Sequence, residues 1–183
     1  FENAFTMQPV CGPARAALQT GTYPTETGCF RNGIALPDGR NTLANRFTGA
    51  GYETAYIGKW HLASNKFDSD KLPSGKINFD YTTKSIPVHL RGGYRDFWIA
   101  SDVLECTSHG YGGYMHKSDG TPVVWDNSTY RADAQTDYVL NFLRERKSIK
   151  PFFLFLSYIE PHHQNDRNCY EGPYGSKEKW RNF

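Results

Sequence analysis

The sequence C-G-P-A-R, which runs from Cys11 to Arg15, joins a nucleophilic side chain to the expected start of a helix. Pro13 suits a first helical turn and Gly21 is well placed to end the helix, so we expect a helix over residues 13–20. Free backbone N–H groups at a helix start favour negative charge, and Arg15 comes four residues after Cys11 on the same face. The segment predicts an anion-binding pocket beside a reactive group, against the plainer alternative of a small buried cysteine and a surface arginine.

A cation and an imidazole follow the next expected element, a strand over residues 52–57. Alternate side chains of extended backbone point to opposite sides, so Lys59 and His61 would share one side while Trp60 packs inward. The pattern therefore places an ammonium and an imidazole together. For an isolated pair, a surface lysine and a hydrogen-bonded histidine would be the more common arrangement.

Two histidines, His162 and His163, follow a nearly unbroken apolar run over residues 152–158. Such a run is typical of a strand buried on both faces. Taken alone, the two histidines would be loop residues that make backbone hydrogen bonds. They gain interest because reactive residues of an α/β sheet gather beyond the carboxyl ends of its strands, where Lys59 and His61 are also expected.

Helices and strands alternate along the rest of the chain, which favours an α/β fold, a sheet with flanking helices. We expect a helix from about Asn41, as its N-cap, to Thr48, and a short strand over residues 97–100. Residues 64–95 are polar and interrupted by Gly and Pro, which indicates irregular structure. The longest helix signal covers residues 129–147, with one apolar stripe made by Tyr130, Ala134, Tyr138, Phe142 and Leu143.

Two polar stretches lie between these elements. Residues 102–116, which include Glu105 and His109, predict a loop that faces substrate, although a plain surface loop is an equal alternative. Asn127-Ser128-Thr129 matches a glycosylation sequon, and we interpret it as a helix-capping stretch.

Three segments resemble the signatures of the type I sulfatases of the alkaline phosphatase superfamily. The C-x-P-x-R motif at residues 11–15, followed by Thr20-Gly21, resembles the mark of a cysteine that is oxidised to formylglycine. Residues 51–62, which read G-Y-E-T-A-Y-I-G-K-W-H-L, resemble the second signature. Glu160-Pro161-His162-His163 resembles the third element, a Pro-His turn. The three matches stand in the family's order, and the resemblance extends over nearly the whole chain.

The resemblance implies an alkaline-phosphatase-like fold and a hydrolase that cleaves sulfate esters. A formylglycine-generating maturation enzyme would oxidise Cys11, and a hydroxyl of the formylglycine hydrate would attack the ester sulfur. Arg15 would hold the hydrate and Lys59 would bind a sulfate oxygen. His61 would assist the elimination of sulfate, and His162 would protonate the departing alkoxide as general acid.

The other substrate contacts follow from the same resemblance. His162 is preferred to His163 as the acid because it directly follows the proline of the turn. His163 and His109 are expected to bind substrate together with Lys59.

The resemblance also implies a hard divalent cation, usually calcium, bound by oxygen ligands. The sequence departs from the family pattern here, because residues 1–10 contain no Asp and nothing after His163 resembles the later metal-binding element. Only Cys11, as formylglycine, is assigned as a metal ligand. We therefore expect residues 1–183 to be part of a sulfatase catalytic domain without its first metal-binding strand and its C-terminal metal-binding part, and to be inactive in isolation.

Composition narrows the classes of partner. A formal net charge of +2 without a dense Lys/Arg run argues against nucleic acid, and no apolar stretch of about 18 residues predicts a membrane span. The four cysteines lie far apart without a CxxC pair, which argues against a zinc ribbon and leaves any disulfide pairing open. An aromatic share of 15% suits carbohydrate binding.

The leading hypothesis is a sulfuric ester hydrolase whose substrate is a sulfated glycan or small molecule, with a sulfated sugar preferred to a steroid or aryl sulfate. Two alternatives stay open. One is a formylglycine-dependent phosphonate monoester or phosphodiester hydrolase, which would share much of the site. The other is a non-catalytic sugar-binding relic. The sequence leaves the compartment open.

Overall fold

The computed structural model describes residues 2–66 and 77–182. The strands run over Glu53–Lys59 (β1), Phe97–Ser101 (β2), Tyr111–Lys117 (β3), Pro122–Tyr130 (β4), Phe152–Ser157 (β5), His163–Gln164 (β6) and Cys169–Tyr170 (β7). The helices run over Cys11–Thr20 (α1), Pro24–Thr27 (α2), Leu43–Gly49 (α3), Arg131–Glu145 (α4) and Ser176–Lys179 (α5). Short 3-10 turns cover Val88–Leu90, Leu104–Cys106 and Asn165–Arg167. None of the helices in the described ranges has the length and apolar content that a membrane crossing requires.

The central sheet of the described residues has the strand order β4-β3-β2-β1-β5, and β6 pairs with β7 in a separate ribbon. β1 is parallel to both β2 and β5, while β2, β3 and β4 pair in antiparallel fashion. Lys59 lies opposite Ser101, and Gly58 lies opposite Ser157. The carboxyl ends of β1, β2 and β5 therefore meet at one edge of the sheet, which we call the carboxyl edge.

Both faces of the sheet are covered. Alternate residues of β2 point to opposite faces, so Trp98 belongs to one apolar cluster and Ile99 to the other. The first cluster includes Ala16 of α1 and Ala44 of α3, and the second includes Ala134 of α4. The arrangement is a sheet between helices, as the alternating sequence pattern predicts.

An aromatic group forms the centre of the first cluster. The ring of Tyr56 packs against Trp60, Tyr94 and Trp98 with centroid separations of 5.0, 5.0 and 5.1 Å. Trp60 is fully buried, as expected for the residue between Lys59 and His61. Its indole therefore anchors the main chain that carries those two side chains.

The start and end of the first two long helices follow local chemistry. Gly21 ends α1 with φ 69 and donates its N–H to the Ala17 carbonyl at 2.8 Å, so the predicted stop is confirmed. In α3 the N-cap is Thr42, whose hydroxyl accepts from the Asn45 N–H. The predicted cap, Asn41, is wrong by one residue.

β5 corrects one prediction about burial. Residues 153–156 are half-buried, and Phe152 is 39% exposed. The prediction of a strand buried on both faces is wrong, because β5 pairs only with β1 among the described strands and lies at the edge of the sheet.

The segment before α4 is strand rather than helix. Asn127-Ser128-Thr129 lies inside β4, and the N-cap of α4 is Tyr130, which makes no side-chain cap. The interpretation of this stretch as helix capping is therefore wrong. Ala134 and Phe142 are buried as the apolar stripe predicts, but Leu143 is 44% exposed.

The two stretches predicted to be irregular differ in outcome. Residues 102–116 contain a 3-10 turn and most of β3, so the loop prediction holds for only part of them. Within the described residues 64–66 and 77–95, the chain forms no α-helix or named strand, as predicted. Residues 67–76 of that prediction lie outside the described residues.

Candidate active site

Cys11 is the first residue of α1, so the helix begins two residues earlier than predicted. Val10, the cap residue, is extended and offers no side-chain cap, and the first turn carries no acidic residue. The amino end of the helix thus keeps its attraction for negative charge next to the half-buried thiol. A β-carbon at Gly12 would lie only 3.1 Å from Asn32 Oδ1, the atom that accepts the Gly12 N–H at 2.8 Å, so the missing side chain leaves room for this contact.

Arg15 connects α1 with the carboxyl edge of the sheet. Its Nη1 atom donates to the Lys59 carbonyl at 2.8 Å and to Ser157 Oγ at 2.6 Å. The hydroxyl of Tyr56 donates to the same carbonyl at 2.5 Å. Hydrogen bonds from a charged donor are stronger than neutral ones, so Arg15 fixes the helix that begins with Cys11 against the ends of β1 and β5.

Lys59 meets a carboxylate at this edge. Its Nζ atom lies 2.7 Å from Glu105 Oε1, and the two side chains are only 1% and 8% exposed. Burial raises the pKa of Glu105, but the charge and the hydrogen bond of Lys59, with smaller contributions from a backbone hydrogen bond and His61, together hold this pKa below its ordinary value. His162 Nε2 lies 3.8 Å from the same Oε1 atom. Glu105 therefore joins the ends of β1 and β2 to the turn that follows β5.

His61 departs from the extended backbone that we expected across residues 59–61. β1 ends at Lys59, and His61 has φ 59. Burial and the nearby Lys59 charge lower its pKa, the Glu105 carboxylate opposes them, and the resulting pKa is about 3. The imidazole is neutral at pH 7 as a result, and its Nδ1 atom is buried without a hydrogen-bond partner among the described residues.

The two histidines of the Pro-His turn point to different partners. His162 Nδ1 donates to the His163 carbonyl at 2.6 Å, since a carbonyl can only accept, and this leaves Nε2 toward Glu105. His163 belongs to β6, with Nδ1 3.3 Å from Asn165 Oδ1 and its ring 5.1 Å from that of Tyr170. The geometry thus brings His162, rather than His163, to the Lys59–Glu105 pair.

His109 lies in a cavity of about 610 Å³ next to this cluster. Its Nε2 atom is 2.8 Å from Asp166 Oδ2, and this contact lowers the pKa of Asp166 to about 2. Glu105 lines the same cavity, so it borders both the cluster and the open pocket. The other lining residues include two tyrosines and an amide, namely Tyr111, Tyr114 and Gln164.

A family model described as Sulfatase matches residues 1–181. The chain belongs to the sulfatase family.

Relatives of this sulfatase chain include proteins named for sulfated glycans. An ulvan-active sulfatase of Formosa agariphila is 35% identical over 163 residues, which is 88% of this chain and 28% of the relative. An N-acetylglucosamine-6-O-sulfatase of Bacteroides thetaiotaomicron is 30% identical over 164 residues, which is 88% of this chain and 24% of the relative. The chain therefore spans about a quarter of the length of these curated relatives.

Solved structures share the fold. The superposition with the protein YidJ of Bacteroides fragilis includes 100% of this chain and 40% of the YidJ chain, with a TM-score of 0.72 at 20% identity. BT4656, solved in complex with its substrate D-glucosamine-2-N,6-O-disulfate, covers 95% of this chain and 31% of its own with a TM-score of 0.62 at 23% identity. The expected sulfatase-like α/β fold is confirmed.

Sequence reasoning missed two groups at the carboxyl edge of this sulfatase chain. Glu105 was expected only as part of a substrate-facing loop, and Ser157 was expected only as part of β5. Both could have been flagged as polar residues at or just beyond the ends of strands that run parallel.

The described residues do not provide the ligand set of the expected calcium ion. Within the ranges that the structure describes, no group of three or more His, Cys, Asp and Glu side chains could hold a metal ion. Calcium takes six to eight oxygen ligands, so these residues do not by themselves fit a calcium site. Asp166, the acidic residue next to the Pro-His turn, already contacts His109.

Proposed function

We propose that the protein is a sulfuric ester hydrolase that acts on sulfated carbohydrates through a formylglycine made from Cys11 by a maturation enzyme. One observation carries the proposal. Arg15, Lys59 and His162 come from three distant parts of the chain and meet at one edge of the sheet, beside the helix end that begins with Cys11. Membership of the sulfatase family supports the same reaction.

The cations are suited to an anionic substrate. Once formed, the hydrated formylglycine supplies the hydroxyl that attacks sulfur. Lys59, buried and held at the end of β1, would bind a sulfate oxygen, where charge develops in the transition state. Arg15 would hold the hydrate, while its bonds to the Lys59 carbonyl and to Ser157 fix its position.

The two imidazoles would have different tasks. His162 is 28% exposed and its Nε2 atom faces Glu105, so it can hold a proton and donate it to the departing sugar oxygen. His61 is neutral because its pKa is about 3, which leaves it able to accept a proton when sulfate is eliminated.

The cavity beside the cluster supports a carbohydrate substrate. Tyr111, Tyr114 and His109 line it, and aromatic rings with hydrogen-bonding groups suit the apolar faces and hydroxyls of a sugar. His109 is therefore proposed to bind substrate, with His163 as a more distant contact. The relatives that act on ulvan and on N-acetylglucosamine sulfate agree with this substrate class.

Calcium is proposed as the metal on the family's usage, with the formylglycine at position 11 as a ligand. The donor atoms in the described residues do not complete such a site.

The test is performed on the whole gene product, made together with a formylglycine-generating enzyme. Mass spectrometry of the peptide that contains Cys11 should show an aldehyde in place of the thiol, and the protein should release sulfate from sugar sulfates. Cys11→Ala should abolish this release, a loss of at least about 10³-fold, whereas Cys169→Ala, a change at a half-buried cysteine of β7, should leave it unchanged.

Three results would contradict the proposal. Release of sulfate by protein that keeps an intact Cys11 thiol would exclude the formylglycine mechanism. Faster cleavage of phosphate diesters or phosphonates than of sugar sulfates would favour the phosphodiesterase alternative. Sugar binding by fully matured protein without any ester cleavage would favour a non-catalytic protein.

A further inference from the structure

Glu105 is a buried acid at the centre of the cationic cluster, and it takes no direct part in the proposed cleavage. It lies in the 3-10 turn Leu104–Cys106, four residues beyond the end of β2. Its Oε1 atom is 2.7 Å from Lys59 Nζ and 3.8 Å from His162 Nε2. The side chain is 8% exposed, so its charge acts on both partners with little screening by water.

A hydrogen bond to the Glu105 carbonyl and the burial of the neighbouring Leu104 fix the position of this carboxylate. Gln164, itself 2% exposed, donates from Nε2 to the Glu105 carbonyl at 2.9 Å, and the same Nε2 contacts Asp166 Oδ1 at 2.7 Å. Leu104, the residue before Glu105, is fully buried in the second apolar cluster. The turn that carries Glu105 is thus bound to the segment that directly follows His162 and His163.

The charges around Glu105 come from every neighbouring element. Lys59 and His61 lie at and just beyond the end of β1, His162 comes from the turn after β5, and Arg15 of α1 acts on the neighbouring His61. Cys106 is the next residue on its own turn. A carboxylate in contact with an imidazole favours its protonated form, and a buried ammonium without a partner would be costly. One acid therefore serves the two groups that must be cationic before the ester is cleaved.

We propose that Glu105 is a positioning residue of the hydrolase. It holds the Lys59 ammonium next to the protonated His162 imidazole, so that Lys59 binds the sulfate while His162 protonates the leaving oxygen. The inference rests on the proposed function. Glu105 touches neither substrate nor reacting atoms in this role, and acts through Lys59 and His162.

Leaving-group dependence separates this role from a purely structural one. A sugar alkoxide needs protonation as it departs, whereas 4-nitrophenolate leaves readily without it. Glu105→Gln, which keeps an oxygen for Lys59 but removes the charge that favours protonated His162, should reduce kcat for a sugar 6-sulfate about 10²-fold. For 4-nitrophenyl sulfate the loss should be only a few fold. The basic limb of the sugar-sulfate pH profile should move to lower pH.

Matched variants complete the experiment in the matured whole gene product. Glu53→Gln alters another ion pair, with Arg146 at the opposite end of β1, and should leave both rates unchanged. Glu105→Asp keeps the charge and should recover part of the sugar-sulfate rate. Glu105→Gln added to His162→Ala should cause little further loss with the sugar sulfate, because both changes remove the same proton donor.

Equal losses with both substrates, or no loss with either, would overturn the inference while the proposed function stands. Additive losses in the double variant would overturn it as well. If the matured protein without any substitution releases sulfate from neither substrate, the proposed function is wrong, and the role of Glu105 is wrong with it.

Discussion

The imidazole of His61 lies among Lys59, Arg15 and His162, three groups that are or become cationic, and it is mostly buried. The Glu105 carboxylate opposes their effect, and the pKa of His61 remains about 3. A neutral imidazole next to an ammonium keeps the net positive charge of the cluster on Lys59 and Arg15. Burial of this imidazole therefore lowers the stability of the fold in acid and leaves the ring unprotonated at neutral pH.

The lowered pKa of His61 predicts how the free energy of unfolding depends on pH. The unfolded chain protonates a histidine at about pH 6.5, whereas folded His61 does so only near 3. Between these values the unfolded state binds more protons, so the free energy of unfolding should fall as the pH is lowered, by up to about 1.4 kcal/mol per pH unit. Urea denaturation at a series of pH values between about 7 and about 4 measures this slope.

His61→Gln should flatten the slope in this range because it removes the titrating group. His89→Gln, a change at an exposed histidine on the surface, should leave the slope as it is. Equal slopes in the unmodified protein and His61→Gln would mean that His61 is not buried in its neutral form.

At the scale of elements, β1 and β5 approach so closely at their carboxyl ends that no side chain fits between them. Gly58 has φ 113, and a β-carbon there would lie 2.1 Å from the Ser157 carbonyl oxygen and 2.7 Å from Gln135 Oε1. This close approach explains why the G-K-W-H-L segment begins with a glycine. It lets β5 pair next to β1 so that Ser157 can reach Arg15.

Gly58→Ala should therefore destabilise the fold by about 3 kcal/mol or more, the sum of a strained φ and an overlap with backbone. The measurement is the free energy of unfolding in urea. Gly49→Ala is the matched control, because Gly49 ends α3 without a positive φ and its β-carbon would meet nothing within 4 Å. That change should be neutral or stabilise by about 0.5 kcal/mol. A loss below about 1 kcal/mol for Gly58→Ala would show that β5 can shift at little cost.

Elements with a strong local signal were predictable, and elements made by pairing were not. The Pro13 start and Gly21 stop define α1, the apolar run defines β5, and the strand expected over residues 52–57 is β1, each within about two residues. β3 and β4 were missed because Gly112, Gly113 and the Asn127 region resemble loop, while their strand character comes from pairing with each other across a register shift.

The candidate site divides along the same line. Cys11, Arg15, Lys59, His61 and His162 stand in motifs whose spacing is local, and the sequence names them. Glu105 was not assigned a role because its importance arises from contacts with Lys59, 46 positions away, and with His162. The half-burial of β5 was also out of reach, since an apolar run does not tell whether a strand lies inside the sheet or at its edge.

At the scale of the whole molecule, the described sheet ends on one side with β5, an apolar strand whose outer edge pairs with no other described strand. Four of its residues are half-buried and Phe152 is 39% exposed. An unpaired apolar edge is a template for pairing with another chain. The isolated 183-residue chain should therefore self-associate as its concentration rises, and sedimentation velocity would detect the larger species.

Phe152→Lys should shift this association to higher concentration, because a charge on an edge strand opposes pairing between chains. Leu140→Lys is the matched control, since Leu140 is also 39% exposed but lies on α4. Association that both lysines weaken equally would point to general surface charge, and a chain that stays monomeric throughout would show that β5 is a protected edge. Association that only Phe152→Lys weakens locates the contact at β5, the strand that also supplies Ser157 to Arg15 at the carboxyl edge.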